Sequence, residues 1–188
     1  MKVEIVPYSP RWPAEFEVLR EALARAIGDL ALRIDHIGST SIPGMAAKDV
    51  IDIQITVASL DEADEVARRA ESIGFVIRPY FIDHEPPGWV GDEREWGKRV
   101  LAPPESMRLC NVHVREAGRA NQRYALLFRD YMRAHPQAIT TWIVMKQRLA
   151  EQYPDDLSTY GLVKDAATDV LMLGAEAWAE REGWVVGP

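Results

Sequence analysis

From Val50 to Val57 the chain alternates strictly. Ile51, Ile53, Ile55 and Val57 fall on one side, and Asp52, Gln54 and Thr56 on the other. A period of two is the signature of a strand with one apolar face, so Asp52 is expected to point away from the core, into solvent or a cleft. A second alternation, Leu109 to Arg115, places Cys110, Val112 and Val114 on one face and Asn111, His113 and Arg115 on the other. Short apolar runs at Ile34–Ile37, Phe75–Arg78 and Lys98–Leu101 read as further strands, the last pairing with Met107–Arg115 around Pro103-Pro104. Val3–Val6 reads as a short strand or an extended lead-in.

Elsewhere the period lengthens. Phe16, Leu19, Leu23, Ala26 and Ile27 recur at intervals of three and four, predicting a helix over 14–27 that Gly28 closes. Ser59 is a suitable cap for a helix from Leu60 to Ser72, with Gly74 beyond it. Helices are also predicted over 121–134, from Pro136 to about Gln152, and from about Asp155 to Glu182. Residues 79–97, with three prolines and three glycines, show no periodicity and are expected to form a hairpin arm or a lid. The order gives an α/β (α+β) fold: a mixed sheet flanked by helices, with a helical C-terminal half, in a single domain over 1–188.

The stretch between the first two strands carries the chemistry. Gly38-Ser39-Thr40-Ser41 removes bulk and adds hydroxyls, and consecutive amides in such a turn can cradle an anion. A helix starting near Ile42-Pro43 would add a favourable dipole. The spacing excludes a Walker-type loop, because five residues separate Gly38 from Gly44 and Lys48 follows four later. It fits instead a nucleotidyltransferase pattern: hydrophobic-Gly-Ser, then a carboxylate-bearing strand about a dozen residues on. That chemistry pairs carboxylates one residue apart to hold Mg2+ on a triphosphate. Asp52 fills the first position as metal ligand or base, and Gln54 stands at the second.

These residues resemble the GrpB-like family, also found fused behind bacterial dephospho-CoA kinases as an accessory domain. The resemblance rests on H-I-G-S-T-S-I-P-G-M-A-A-K-D-V-I-D-I from His36 to Ile53, on the strand Arg108–Val114, on the helix junction Phe128–Pro136 and on Tyr160 with Lys164, and covers roughly residues 3 to 180. The chain departs from the pattern at Cys110 and Asn111, where histidines are frequent. The resemblance implies a nucleotidyltransferase-like fold. It raises Asp52 and His113 as catalytic candidates, His113 as a metal ligand or proton carrier near neutrality. Gly38, Ser39, Thr40, Lys48, Arg99, Arg108, Asn111 and Lys164 become candidates for holding a nucleotide or other phosphorylated small molecule. Two readings stand: a nucleotidyltransferase-like enzyme or nucleotide binder, and a noncatalytic accessory domain that assists folding or assembly of a protein partner.

Charge and composition narrow the partners. A net charge of −7 argues against bulk nucleic-acid or membrane attraction, so an anionic ligand needs a local basic patch. Lysine 98, with Arg99 and Arg108, is a candidate for it. The single cysteine, Cys110, excludes an internal disulfide and fits a reducing compartment, and no apolar signal core or membrane-length stretch is present, so a cytoplasmic location is expected. His36 reads as a structural hydrogen-bonding residue, and Trp142, Trp178 and Trp184 as packing.

Overall fold

The alternating stretches become the centre of one sheet. In a computed structural model that describes residues 2–187, Ile51–Val57 forms β2 and Cys110–Glu116 forms β5, side by side and parallel. The other strands are β1 (Arg33–Ile37), β3 (Val76–Arg78) and β4 (Arg99–Ala102), and the sheet order is β1-β2-β5-β4-β3. Every neighbour pair except β2–β5 is antiparallel, so the sheet is mixed.

Two helices cover one face. α1 (Trp12–Ile27) buries Trp12, Phe16, Leu19, Leu23 and Ile27, the stripe its spacing predicts. α2 (Ala63–Glu71) adds Val66, Ala67 and Ala70, and the two close over Ile51, Ile53, Ile55, Val112 and Val114. The opposite face lies under α3 (Ala120–Ala134), α4 (Pro136–Gln152) and α5 (Leu157–Glu182), which share a separate cluster around Leu127, Phe128, Met132, Trp142 and Met172. With sheet covered on both sides, Gln54 and Thr56 are as buried as the isoleucines beside them.

Several expected boundaries move. Val3–Val6 forms no strand; Val6 only bridges Ala47. The helix expected at Pro43 is absent: a tight helical turn spans Ser39–Ser41, and Ile42 is already extended. A residue that precedes proline is pushed out of the helical region, which stops the turn there. Ser59 does cap, accepting from the Asp61 amide at 3.2 Å, but regular helix begins only at Ala63. Residues 79–97 fold back as an arm: Ile82 bridges Gly97, and the Asp83 amide donates to the Trp96 carbonyl at 2.7 Å. Among the described residues no helix is long and apolar enough to cross a membrane.

Candidate functional site

The register of β2 on β5 sets Asp52 opposite Asn111, Gln54 opposite His113 and Thr56 opposite Arg115, all on the face under α3–α5. Asn111 donates to Asp52 Oδ1 at 2.9 Å. Ile37, the last residue of β1, pairs with Asp52, so the chain leaving β1 passes directly over that carboxylate. Gly38 has φ of 67°, and a Cβ there would stand 2.5 Å from Asp52 Oδ2. Conformation and close approach both require glycine.

The hydroxyls of the turn have distinct duties. Ser41 donates to the Gly38 carbonyl at 2.6 Å and closes the turn on itself. Thr40 Oγ1 lies 3.0 Å from His36 Nε2, and that imidazole stacks on Phe16 at 4.6 Å. Burial, aided by Arg133 and Arg129, lowers the His36 pKa to about 4, so the ring is neutral and structural. Ser39 faces the other way and accepts a hydrogen bond from Lys146 Nζ at 3.1 Å.

Above this turn opens a cleft of about 500 Å³ between the sheet and the helical layer. Three lysines reach it. Lys146 of α4 is 2% exposed, also donates to the Ala46 carbonyl, and has its pKa lowered to about 7 by burial and then by Lys164 and Lys48. Lys48 follows the turn and lies 5.4 Å from the Tyr160 ring; burial lowers its pKa too, against the pull of Asp52. Lys164 of α5 pairs with Asp165 at 2.8 Å. Neither Lys48 nor Lys146 forms an ion pair among the described residues. Asp52 is the carboxylate on the cleft wall; desolvation raises its pKa, while Asn111, Lys48, Lys164 and Arg115 act in the opposite sense. Phe128, Trp142 and Tyr160 supply an apolar wall.

Behind His113 the polar face continues into a network. Arg115 holds both oxygens of Asp83, at 2.8 and 3.0 Å, and donates to Gln54 Oε1 at 2.6 Å. Gln54 in turn donates to the Gln122 carbonyl at 3.2 Å, and Lys98 meets Asp83 at 2.6 Å. Arg115 and Lys98 hold the Asp83 carboxyl well below the usual carboxylate range despite its burial. His113 is held neutral down to about 3 by burial and by Arg115 and Lys98. An unperturbed imidazole titrates near neutrality; here burial and the two cations act together against the charged form, and Asp83 acts in the opposite sense.

Gly38, Ser39, Thr40, Lys48, Asp52, Asn111, His113 and Lys164 thus all line one cleft, while Arg99 and Arg108 do not. The reason is strand parity. Arg99 pairs with Val114, so its side chain faces α2, 3.7 Å from Asp64 and over the Phe81 ring. Arg108 shares parity with Cys110 and turns to Glu15 of α1 at 2.7 Å and to Asp49. Cys110 is buried on that same apolar face, and burial pushes its thiol up to about 12. Lys146 escaped the sequence reading, although Trp142, Lys146, Leu149 and Ala150 mark the buried stripe of α4 and a lysine at its centre is a signal. Asp83 escaped because its arm has no periodicity to read.

The residues present do not fit the carboxylate pair that nucleotidyl transfer uses to hold Mg2+. The second position carries an amide, a weaker Mg2+ ligand than a carboxylate, and its oxygen accepts from the cationic Arg115 at 2.6 Å. Among the described residues no group of three His, Cys, Asp or Glu side chains is gathered for a metal.

Most of the chain has relatives among known proteins. Residues 2–172 match the family described as GrpB protein. A protein named dephospho-CoA kinase from Mycolicibacterium paratuberculosis is 36% identical, with 97% of this chain and 48% of that protein aligned. UPF0157 protein YqkA of Bacillus subtilis is 33% identical, over 94% of this chain and 48% of its own. The chain therefore spans about half the length of these curated relatives. The crystal structure of GrpB from Enterococcus faecalis superposes with a TM-score of 0.74 at 29% identity, covering 93% of this chain and 99% of that one. A Cid1 poly(U) polymerase bound to MgATP reaches a TM-score of 0.52 at 16% identity, over 84% of this chain and 50% of that one, a likeness of fold alone.

Proposed function

This chain belongs to the GrpB family and has a nucleotidyltransferase-like fold, and from that premise we propose that its cleft binds a nucleotide or another phosphorylated small molecule. Phosphoryl oxygens would sit between the Ser39 turn and Lys48, Lys146 and Lys164. Asn111 and His113 would offer neutral hydrogen bonds beside them, and the Phe128–Trp142–Tyr160 wall would take the less polar part of the ligand. The observation that carries the reading is Lys146: an amine 2% exposed, with two further lysines as its charged neighbours. Burying an amine without a counter-charge costs free energy, and an anion in the cleft offsets that cost. In a chain of net charge −7 such a gathering of cations is not a by-product of composition. A volume near 500 Å³ is in the range of small-ligand sites.

Gln54 favours binding over transfer. With its amide committed to Arg115, the cleft keeps the phosphate-facing turn of the fold but not the paired carboxylates. Gln54 also favours the second reading, a noncatalytic accessory domain that assists folding or assembly of a partner; one longer relative is a protein named dephospho-CoA kinase.

Calorimetric titration with inorganic triphosphate and with ATP, without divalent metal, tests the proposal. Binding is expected for both, and Lys146→Met is expected to weaken each by about tenfold or more. A panel of nucleotides that leaves the melting temperature unmoved at millimolar concentration would refute it.

A further inference from the structure

The last helix is apolar on two sides. Inward, α5 buries Tyr160, Met172, Ala175 and Ala179 and carries Lys164 to the cleft. Outward, Leu162, Ala166, Val170, Leu173 and Ala177 recur at intervals of four, four, three and four, and all five are exposed. Leu162 is 68% exposed, Val170 71% and Leu173 74%, and Val163 and Gly174 widen the stripe. Charge is confined to its margins: Glu176 pairs with Arg123, and Lys164, Asp165 and Asp169 turn away, half-buried. The other outer helices show solvent an ordinary surface, with Glu17, Glu21 and Arg25 on α1 and Gln137, Thr141 and Arg148 on α4. Single exposed leucines and valines need no explanation, whereas a contiguous apolar stripe marks an interaction surface.

The stripe is complementary to itself. Turned end for end about Val170, it sets Leu162 against the partner's Ala177 and Leu173 against the partner's Ala166, with Val170 meeting its own copy. Large side chains then face small ones at each step, as close helix packing requires. Antiparallel helices also oppose their macrodipoles. The same turn brings Arg181, whose exposed pair with Glu182 is worth little, toward the partner's Asp155 and Asp156. The 26 residues of α5 span about 39 Å, and a seam of that length covers on the order of 500 Å² on each copy. The pair would bury about 1,000 Å², the lower end for a specific interface, which suits a dimer of micromolar strength. The Enterococcus faecalis structure, 99% of whose chain aligns, has no further domain to cover this face.

We propose that α5 pairs antiparallel with α5 of a second copy of this chain, giving a two-fold dimer with its axis at Val170. The inner face of the helix then walls the cleft and the outer face forms the seam. Tyr160, Lys164 and Thr168 stay on the cleft side, so each copy keeps a complete cleft. The inference goes beyond the phosphate reading and does not depend on it.

Sedimentation of the whole chain from about 5 to 200 µM tests the proposal, and a shift from monomer to dimer within that range is expected. Leu173→Glu should raise the dissociation constant about tenfold or more, while Val18→Glu, the same kind of change at a 69% exposed position of α1, should leave it unchanged. Both side chains face solvent in the single chain, so both variants should fold, which melting curves at low concentration check. Adding Ala166→Lys to Leu173→Glu should restore association, because each introduced carboxylate then meets an introduced amine across the seam. A monomer at every concentration, association indifferent to Leu173→Glu, or a double variant no better than the single one would overturn the inference.

Discussion

The two faces of the sheet are built from the same strands and could hardly differ more. Toward α1 and α2, β2 and β5 present Ile51, Ile53, Ile55, Val57, Cys110, Val112 and Val114, all at most 1% exposed. Toward α3–α5 the intervening residues are Asp52, Gln54, Thr56, Asn111, His113 and Arg115. Gln54 and Thr56 are buried as deeply as the isoleucines, so solvent exposure does not explain their polarity. The first face is filled by non-directional packing, whose worth scales with the area removed from water. The second is held by directed bonds. Apolar packing and directed polar contacts are divided between alternate residues of the same two strands.

Substitutions should sort by face. Ile53→Ala leaves a cavity in the packed face and should cost about 4 kcal/mol, lowering the urea midpoint at unchanged slope. Asp83→Asn tests whether the polar face is dispensable. It leaves Arg115 and Lys98 buried without their counter-charge and should cost about 3 kcal/mol at pH 7. The Asp83 pKa lies below that of the unfolded chain, so its contribution is complete above about pH 4 and is lost as acid is added. The variant should show a shallower acid limb in a plot of melting temperature against pH. A loss under about 1 kcal/mol would leave stability almost wholly with the apolar face.

Much of this division is legible in the sequence, because period-two alternation is local. The faces of Asp52 and His113 follow from their neighbours alone. Arg99 and Arg108 were misjudged for the same reason in reverse: basic residues close in sequence to the cleft strands fall on the wrong parity, and parity follows from where pairing begins. Lys146 is a different case. A lysine within a helix is ordinarily solvated, and its burial depends on α4 being laid over the Ser39 turn, a contact between residues 107 apart. The place of Asp83 depends on how the arm over 79–97 folds, which no periodicity encodes.

Lys146→Met should move stability and binding in opposite directions. Its folded amine titrates near 7 against 10.5 for the free group, so between those values the unfolded chain holds more protons. The protein should therefore gain stability as pH rises through that window, and the methionine variant should lose that slope. At pH 7 the variant should be more stable by about 1–2 kcal/mol, after the lost bonds to Ser39 and Ala46 are set against the relieved desolvation. The groups facing the amine are Lys48, Lys164 and Ser39, with Asp52 across the cleft, so phosphate affinity should fall above pH 7. Ionisation of the phosphate itself would act the other way, which makes the sign decisive. A variant that is less stable at every pH would place Lys146 among the structural residues.

Asp52→Asn is the smallest expected change in stability, under about 1 kcal/mol, since an asparagine oxygen still accepts from Asn111 and desolvation already disfavours the charged form. Its effect on binding discriminates most finely between the two roles open to the polar face. If the cleft holds phosphate by lysines alone, removing a negative charge beside the ligand should raise triphosphate affinity about fivefold, with or without Mg2+. If Asp52 instead holds a divalent ion against the phosphate, the substitution should weaken binding when Mg2+ is present and strengthen it when Mg2+ is removed. The first pattern is expected from Gln54, a neutral amide whose oxygen faces the Arg115 guanidinium. The second would mean that Asp52 and the ligand's own oxygens suffice to hold the ion without a carboxylate at position 54.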